Sequence, residues 1–423
     1  MSHALPRRSL LWHFGLSAYW FSTSLKWFVL LSVILPGQVE QLVPGGEKGK
    51  FWGRVVMLGA IWAMIGPSLF GFLSDRVRTR FGRWKPFVAI GAALTVVALM
   101  ILANPKQYFV IVIGYLFLQV ADDIGQGPYS SLIPALVSEE ERGRASGILG
   151  LLRLSAQVTG GIIALVLRDV FKIYVAIAIV TILCALITLL SVREEPGFEK
   201  PKSNSFYKAW IQPWKDADFR WMWFTRFLNA LGFYLISIYL LYFLIDRVRD
   251  YKILGWTIAD PAHLGSKEEA AKITMFMLAL SISFMGGIGA LIGGKLTDTI
   301  GRKRVIMISG LIMAATIPPF IFYPHFGLLV SLAVVFGVAY GMNQSAEWAL
   351  ASDVMPNREE LAKDMGLWQS SIATPQVLTG VSGMLLDWGN RLADGFGYQL
   401  IFLLSACAFL LGTVLVRKIR RSR

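Results

Sequence analysis

Along most of the chain, apolar residues come in runs of about twenty, far longer than a buried strand needs. An α-helix rises about 1.5 Å per residue, so each run matches a bilayer core of roughly 30 Å. The pattern predicts twelve spanning helices, near residues 10–35, 54–73, 86–104, 108–136, 145–167, 172–192, 219–246, 271–294, 305–323, 327–351, 364–386 and 397–416. Between the sixth and seventh runs lies REEPGFEKPKSNSFYKAWIQPWKDAD, polar and proline-bearing. It divides the chain into a six-helix bundle at 1–192, a cytoplasmic linker at 193–218 and a second six-helix bundle at 219–423. The expected fold is an all-α, multi-pass protein of the plasma or inner membrane, with the lipid bilayer as its first partner.

Composition agrees, with 55% hydrophobic and only 16% charged residues, where a soluble chain carries about a quarter charged. The net charge of +14 would suit a nucleic-acid binder. The placement of the basic residues argues otherwise. With the N-terminus inside, about 26 of the 41 Lys and Arg fall in cytoplasmic segments, the clusters at Arg76–Lys85, Arg302–Arg304 and Arg417–Arg423 among them. About 12 fall in outer loops, and Lys26, Arg153 and Arg226 lie within spans. This asymmetry puts both termini in the cytoplasm and removes nucleic acid as a partner. Cys184 and Cys407 sit inside apolar runs, so no disulfide is expected. His3, His13, His263 and His325 are scattered, and phosphate loops, metal-spaced His/Cys sets and nucleophile elbows are absent from the sequence. An enzyme is therefore not expected, nor a resident metal or cofactor.

The two halves repeat. GFLSD at 71–75 returns as GKLTD at 294–298, each closing an even-numbered span and each followed by Gly-Arg and basic residues. SGILGLLRLSAQVTGG at 146–161 parallels MGLWQSSIATPQVLTG at 365–380, with Gly147, Gln157 and Gly161 matching Gly366, Gln376 and Gly380 at one offset of 219. Several matches at nearly half the chain length point to a six-plus-six duplication. That is the architecture of an alternating-access carrier with its site between the halves at mid-membrane, functional as a monomer. In the repeated loop, Gly71 and Gly294 permit close helix packing, and Asp75 and Asp298 can approach a neighbouring helix N-terminus and nearby arginines. The expectation is a cytoplasmic gate built from Gly71, Asp75, Arg76, Gly82 and Arg83, then Gly294, Asp298, Gly301 and Arg302. The alternative is that the basic residues only set topology.

GKLTDTIGRKR (294–304) resembles the loop signature of the major facilitator superfamily. The longer first copy, GFLSDRVRTRFGRWKPF (71–87), together with QGPYSSL (126–132) and SEEERGRASG, resembles the glycoside–pentoside–hexuronide:cation symporters. That family includes melibiose carriers and plant sucrose carriers. The resemblance implies the twelve-helix facilitator fold and secondary transport of a sugar.

Ionisable groups inside spans are costly and most often functional. The fourth run carries Gln119, Asp122, Asp123, Gln126 and Ser130 at three- to four-residue spacing, a polar stripe on one helical face. Only one of the two adjacent aspartates can point along it; the other sits about 100° round. The fifth run reaches Arg153 at a similar depth, with Gln157 one turn on, so an Asp–Arg pair is expected, as substrate ligand or as packing. The melibiose-like carriers likewise use an acid on the fourth helix and an arginine on the fifth in sugar recognition. The remaining acid is expected to hold the coupling proton. The tenth run, repeat partner of the fourth, offers Tyr340, Asn343, Gln344 and Glu347, the last as gate, packing or ligand. The seventh offers Arg226, which could snorkel, and Asn229. The first offers Trp20 and Trp27 for stacking or packing, and Lys26, whose partner the sequence does not name.

Melibiose-like carriers use acids on helices one and two for sodium. Here the first run has none before Glu40, and VVMLGAIWAMIGPSLFGF has none at all. A proton is thus the expected coupling ion, with sodium left open. The leading expectation is proton-coupled symport of a sugar, glycoside or similar small polar solute. The alternatives are a proton-coupled exporter, disfavoured by QVTGG lacking the exporters' proline, and a non-transporting assembly or sensor protein.

Overall fold

A computed structural model describes residues 7–43, 48–167, 169–194, 205–248, 251–253, 255–259 and 266–421. Residues 195–204 of the expected linker, and Ser422 and Arg423 of the basic terminus, lie outside the described residues. The structure is almost wholly helical. Among the described residues one small sheet pairs Lys252–Ile253 with Trp256–Thr257, between the seventh and eighth spans.

Among the described residues, eleven helices are long and apolar enough to cross a membrane: Leu10–Leu42, Phe51–Arg76, Lys85–Leu102, Tyr108–Leu136, Glu139–Leu167, Val170–Ser191, Ala217–Arg247, Lys267–Ile300, Arg302–Phe322, Phe326–Val354 and Phe396–Lys418. Leu361–Leu392 completes the set of twelve among the described residues. It is the more polar one, because LAKDMGLWQSSIATPQ packs against the other half and the cavity rather than against lipid. The helices are numbered here as spans one to twelve in that chain order, with Leu361–Leu392 as the eleventh.

Local chemistry sets the helix ends. Ser9, Asp169, Asp216 and Ser266 cap the first, sixth, seventh and eighth spans by accepting backbone N–H groups, as at Trp12 (3.2 Å) and Lys172 (2.8 Å). The first span runs on to Leu42, past the predicted end, through a π-helical turn at Leu30–Ile34 just before Pro36. The second span is two helices, Lys48–Ala63 and Gly66–Arg76. Pro67, which has no N–H, stands in the first turn of the second piece, where that loss costs nothing.

The core is not evenly shared. At the end that carries the basic loops, one apolar cluster draws on both halves, including Leu16, Trp84 and Tyr129 from the first and Phe219, Trp348 and Trp368 from the second. Towards the other end each half has its own cluster: Leu25, Leu99 and Tyr174 in the first, Leu244, Phe320 and Phe402 in the second. Large apolar side chains such as Leu165 (69% exposed) and Leu190 (82% exposed) form the outer face, as a lipid-embedded bundle requires. The halves are fused at the basic end and separate beyond mid-depth, so the space between them opens away from the basic loops.

Candidate functional site: a closed end and a charged central cavity

The fused end is closed by two copies of one lock. Asp75 accepts a hydrogen bond from the backbone N–H of Lys363 (3.1 Å), at the start of the eleventh span. Asp298 accepts from the N–H groups of Gly143 and Arg144 (3.0 Å each), at the start of the fifth. Arg144 and Lys363 stand at the repeat offset of 219, so the locks are related by the duplication. In both, a carboxylate meets the positive end of a helix from the opposite half.

The predicted gate glycines sit at these crossings. A Cβ on Gly71 would lie 2.3 Å from the carbonyl oxygen of Ala362, and one on Gly294 would lie 2.5 Å from that of Gly143. Gly82 and Gly301 take positive φ (103° and 95°) in the loops. Arg76 pairs with Glu360 (2.6 Å), Arg83 Nη1 lies 3.8 Å from Asp75, and Arg302 pairs with Asp353 (2.6 Å). Sequence reasoning left out several partners. Glu194, in REEP just after the sixth span, accepts from the N–H groups of Arg83 (2.6 Å), Trp84 (3.1 Å) and Lys85 (2.9 Å). Asp353 also binds Arg142 (2.8 Å), and Glu360 binds Lys363 (2.7 Å). The signal for Asp353 and Glu360 was the second charged loop, SDVMPNREELAKDMG, which repeats the charge pattern around SEEERGRASG.

Above the lock, two connected cavities of about 350 and 450 Å³ occupy the middle of the bundle, sharing Arg153, Gln157, Tyr234, Tyr340 and Gln344. The larger lies towards the first half, and Trp20, Trp27, Asp123 and Gln126 line it. The smaller lies inside the second half, and Arg226, Asn229, Asn343 and Glu347 line it.

The twin aspartates diverge as helical geometry requires. Asp122 points to the first span, where Lys26 pairs with it, Trp27 Nε1 donates to it (2.6 Å) and Thr23 lies 3.4 Å away. Lys26 and Asp122 are both buried. Asp123 turns to the second span, against Gly66 at the break in that helix. Its polar neighbours are Gln119, at a long 3.4 Å, and the indole of Trp62 beside the same glycine, and no cation lies within ion-pair distance among the described residues.

The expected Asp–Arg153 pair is not formed. Lys26 reaches Asp122 from the first span, while Arg153 turns into the gap between the halves, its guanidinium 4.9 Å from the ring centre of Trp20. No carboxylate stands within ion-pair distance of Arg153 among the described residues. The partner of Lys26, unnamed in the sequence, is Asp122.

Arg226 does not snorkel. It is buried, with its guanidinium 3.4 Å from the centre of the Trp368 ring and its Nε 3.8 Å from Glu347. Glu347 also accepts from Asn229 (2.7 Å), and Asn343 donates to Ser309 (3.3 Å). Tyr340 stacks on Phe233 (4.8 Å). Gln157 accepts from Ser283 (2.8 Å) across the two halves, and the Oε1 of Gln344 has no hydrogen-bond partner among the described residues. Trp20 packs edge-on against Trp348 (5.5 Å), and Trp27 serves Asp122. The aromatic bracket of Trp348 and Trp368 was overlooked in the sequence, where both read as ordinary span residues.

The Major Facilitator Superfamily profile matches residues 53–266 and again 252–423, most of the chain in two copies. The chain belongs to the Major Facilitator Superfamily. It is thus a transporter and not an enzyme. Among curated relatives, the sucrose transport protein SUC4 of Arabidopsis thaliana is 26% identical over 152 residues, and the minor myo-inositol transporter IolF of Bacillus subtilis is 29% identical over 121. These matches cover 32% and 28% of this chain, and only 29% and 27% of those proteins' own length. The multi-drug resistance efflux pump PmrA of Streptococcus pneumoniae is 23% identical over 70% of each chain. Among solved structures, the Escherichia coli fucose:proton symporter FucP superposes with a TM-score of 0.72 at 12% identity, covering 97% of this chain and 98% of its own. The proton:xylose symporter XylE superposes with 0.68 at 14% identity, covering 97% and 95%. These facilitators share the fold.

Two outcomes follow from this geometry. Asp122→Asn strands a buried ammonium and is expected to cost about 3–5 kcal/mol, whereas Lys26→Met with Asp122→Leu restores much of it; thermal midpoints of the purified protein compare them. Asp75→Asn is expected to cost the lock about 1 kcal/mol and raise maleimide labelling of a cysteine at Ser68, now buried beside Lys363, roughly fivefold. That labelling is read in a Cys184→Ala, Cys407→Ala background, and an unchanged rate would mean the carboxylate does not hold the closed state.

Proposed function

We propose that this facilitator is a proton-coupled symporter of a glycoside or similar small polar solute, working by alternating access as a monomer. The observation that carries the reading is the division of labour between the twin aspartates. Asp122 is neutralised by Lys26, so its charge is structural. Asp123 faces the cavity without a cation beside it, at the break in the second span. A carboxylate so placed, in apolar surroundings and within reach of water in the cavity, is suited to take up and release a proton.

The distribution of Lys and Arg supports a cytoplasmic position for the basic-loop end. The cavity then opens outward, and the duplicated lock is the inner gate. Units 1–192 and 219–423 rock about the site between them, and the linker around 193–218 joins them. Solute binds among Arg153, Gln157, Gln126, Gln344, Asn343 and Asn229, with Trp20 and Tyr340 as apolar walls. Proton and solute binding together favour breaking the Asp75 and Asp298 contacts. The likeness to sucrose and inositol transporters supports a polyol or sugar solute.

Export is the second reading, favoured by the efflux pump that matches 70% of the chain. Direction separates the two. Proteoliposomes with an inward proton gradient should accumulate a glycoside from a panel, and an imposed sodium gradient alone should not drive uptake. Asp123→Asn should abolish uphill accumulation while leaving solute exchange within about threefold of the parent, since only proton binding is lost. Accumulation by the Asn variant would sink the assignment, and solute leaving against an inward proton gradient would establish export.

A further inference from the structure

Six ionisable side chains occupy the middle depth of the bundle among the described residues: Lys26, Asp122, Asp123, Arg153, Arg226 and Glu347. Three are basic and three acidic. Lys26 pairs with Asp122, and Arg226 lies against Glu347. Asp123 and Arg153 remain, both on the larger cavity but not within ion-pair distance of each other. With Asp123 ionised, the empty site is neutral as a whole. A proton on Asp123 leaves the guanidinium of Arg153 uncompensated in a low-dielectric interior, which is costly. A neutral solute does not remove that charge. An acidic group on the solute does.

The smaller cavity supplies a second feature. Beyond Arg153 and Asn229 it continues into the second half as an almost wholly apolar recess, walled by residues such as Leu240, Met275, Leu278, Ile317, Phe320 and Phe336. Polar mouth and recess together measure about 350 Å³, room for a bicyclic aromatic or a medium alkyl group beside the polar residues. The recess is continuous with the polar chamber, so one molecule can occupy both.

Resting on the reading of a proton-coupled symporter, we infer that its substrate is an amphipathic anion. Its acidic group meets Arg153, and its apolar body fills the recess in the second half. The proton binds Asp123 as the anion binds Arg153, so the loaded carrier has the same net charge as the empty one. Coupling is then enforced by charge balance: either ligand alone leaves one buried charge, and the pair leaves none. A solute with this head and tail is an acidic conjugate of an aromatic or alkyl alcohol, or a carboxylate of comparable size.

The test uses the full-length protein in proteoliposomes and three fluorescent or radiolabelled probes: 4-methylumbelliferyl β-D-glucuronide, 4-methylumbelliferyl β-D-glucoside and methyl β-D-glucuronide. The first, with both acid and apolar body, is expected to bind at least tenfold more tightly than either of the others. Arg153→Gln should erase the advantage of acid over neutral glycoside, read as the ratio of the two affinities in the same variant. Ala279→Phe, which fills the recess, should erase the advantage of the aromatic body and leave methyl glucuronide unaffected. Uptake of the glucuronide should be driven by a proton gradient and be indifferent to a potassium-diffusion potential. Equal binding of glucuronide and glucoside, or an acid preference that survives Arg153→Gln, would overturn the inference. Proton-driven uptake of the neutral glucoside alone would overturn it too, while leaving the symport reading intact. Anion binding without any proton-driven uptake would instead remove the symport reading.

Discussion

Charges in the interior of a membrane protein have to be matched, and in this bundle the matching is incomplete by one pair. Lys26 with Asp122 and Arg226 with Glu347 close two of the three possible pairs. These pairs hold helices together: the first span to the fourth in one half, the seventh to the tenth in the other. Asp123 and Arg153 are held apart by the same packing, because the first span has already taken the aspartate that the arginine would have met. The cavity therefore contains a latent dipole, one carboxylate on the first half's wall and one guanidinium at the seam. On the proposed function, whatever enters would be sorted by how it compensates these two groups.

The lock at the basic end is the mechanical complement. Two helix N-termini, each offered to a carboxylate from the other half, make contacts of 3.0–3.1 Å that involve only backbone donors. Such contacts form in one step when the helices approach and vanish when they part, with no long side chain to follow the motion. Glycines at the crossings let the backbones close to this distance. Glu194 and Asp353 extend the lock by holding the loops that present Asp75 and Arg302. Because the chain duplication generates both locks, one rotation about the central axis makes or breaks the two together.

Much of this was legible in the sequence. Run length predicted the twelve spans, and the repeat predicted two matched bundles, because both depend on periodic signals spread over many residues. The contacts that close the basic end were readable because their glycines and aspartates recur at a fixed spacing. The pairing inside the cavity was not. Helical periodicity placed Asp122, Asp123 and Arg153 at one depth but could not say which neighbouring helix stands against which face, and Lys26 decided the outcome from 96 residues away. The break at Met64–Ile65 and the site it makes for Asp123 were hidden for the same reason: a Gly-Pro pair marks a kink but not what packs into it. Trp348 and Trp368, which bracket Arg226, look in sequence like any other aromatic residue of a span.

The central claim is that Asp122 is a fixed counter-charge and Asp123 the exchanging acid. Infrared difference spectroscopy of the reconstituted protein across an acid step observes carboxyl protonation directly. The account predicts one cavity carboxyl band that appears on acidification, shifts when solute binds, is absent in Asp123→Asn and persists in Lys26→Met with Asp122→Leu. A band that survives in Asp123→Asn and disappears in that double variant would contradict it.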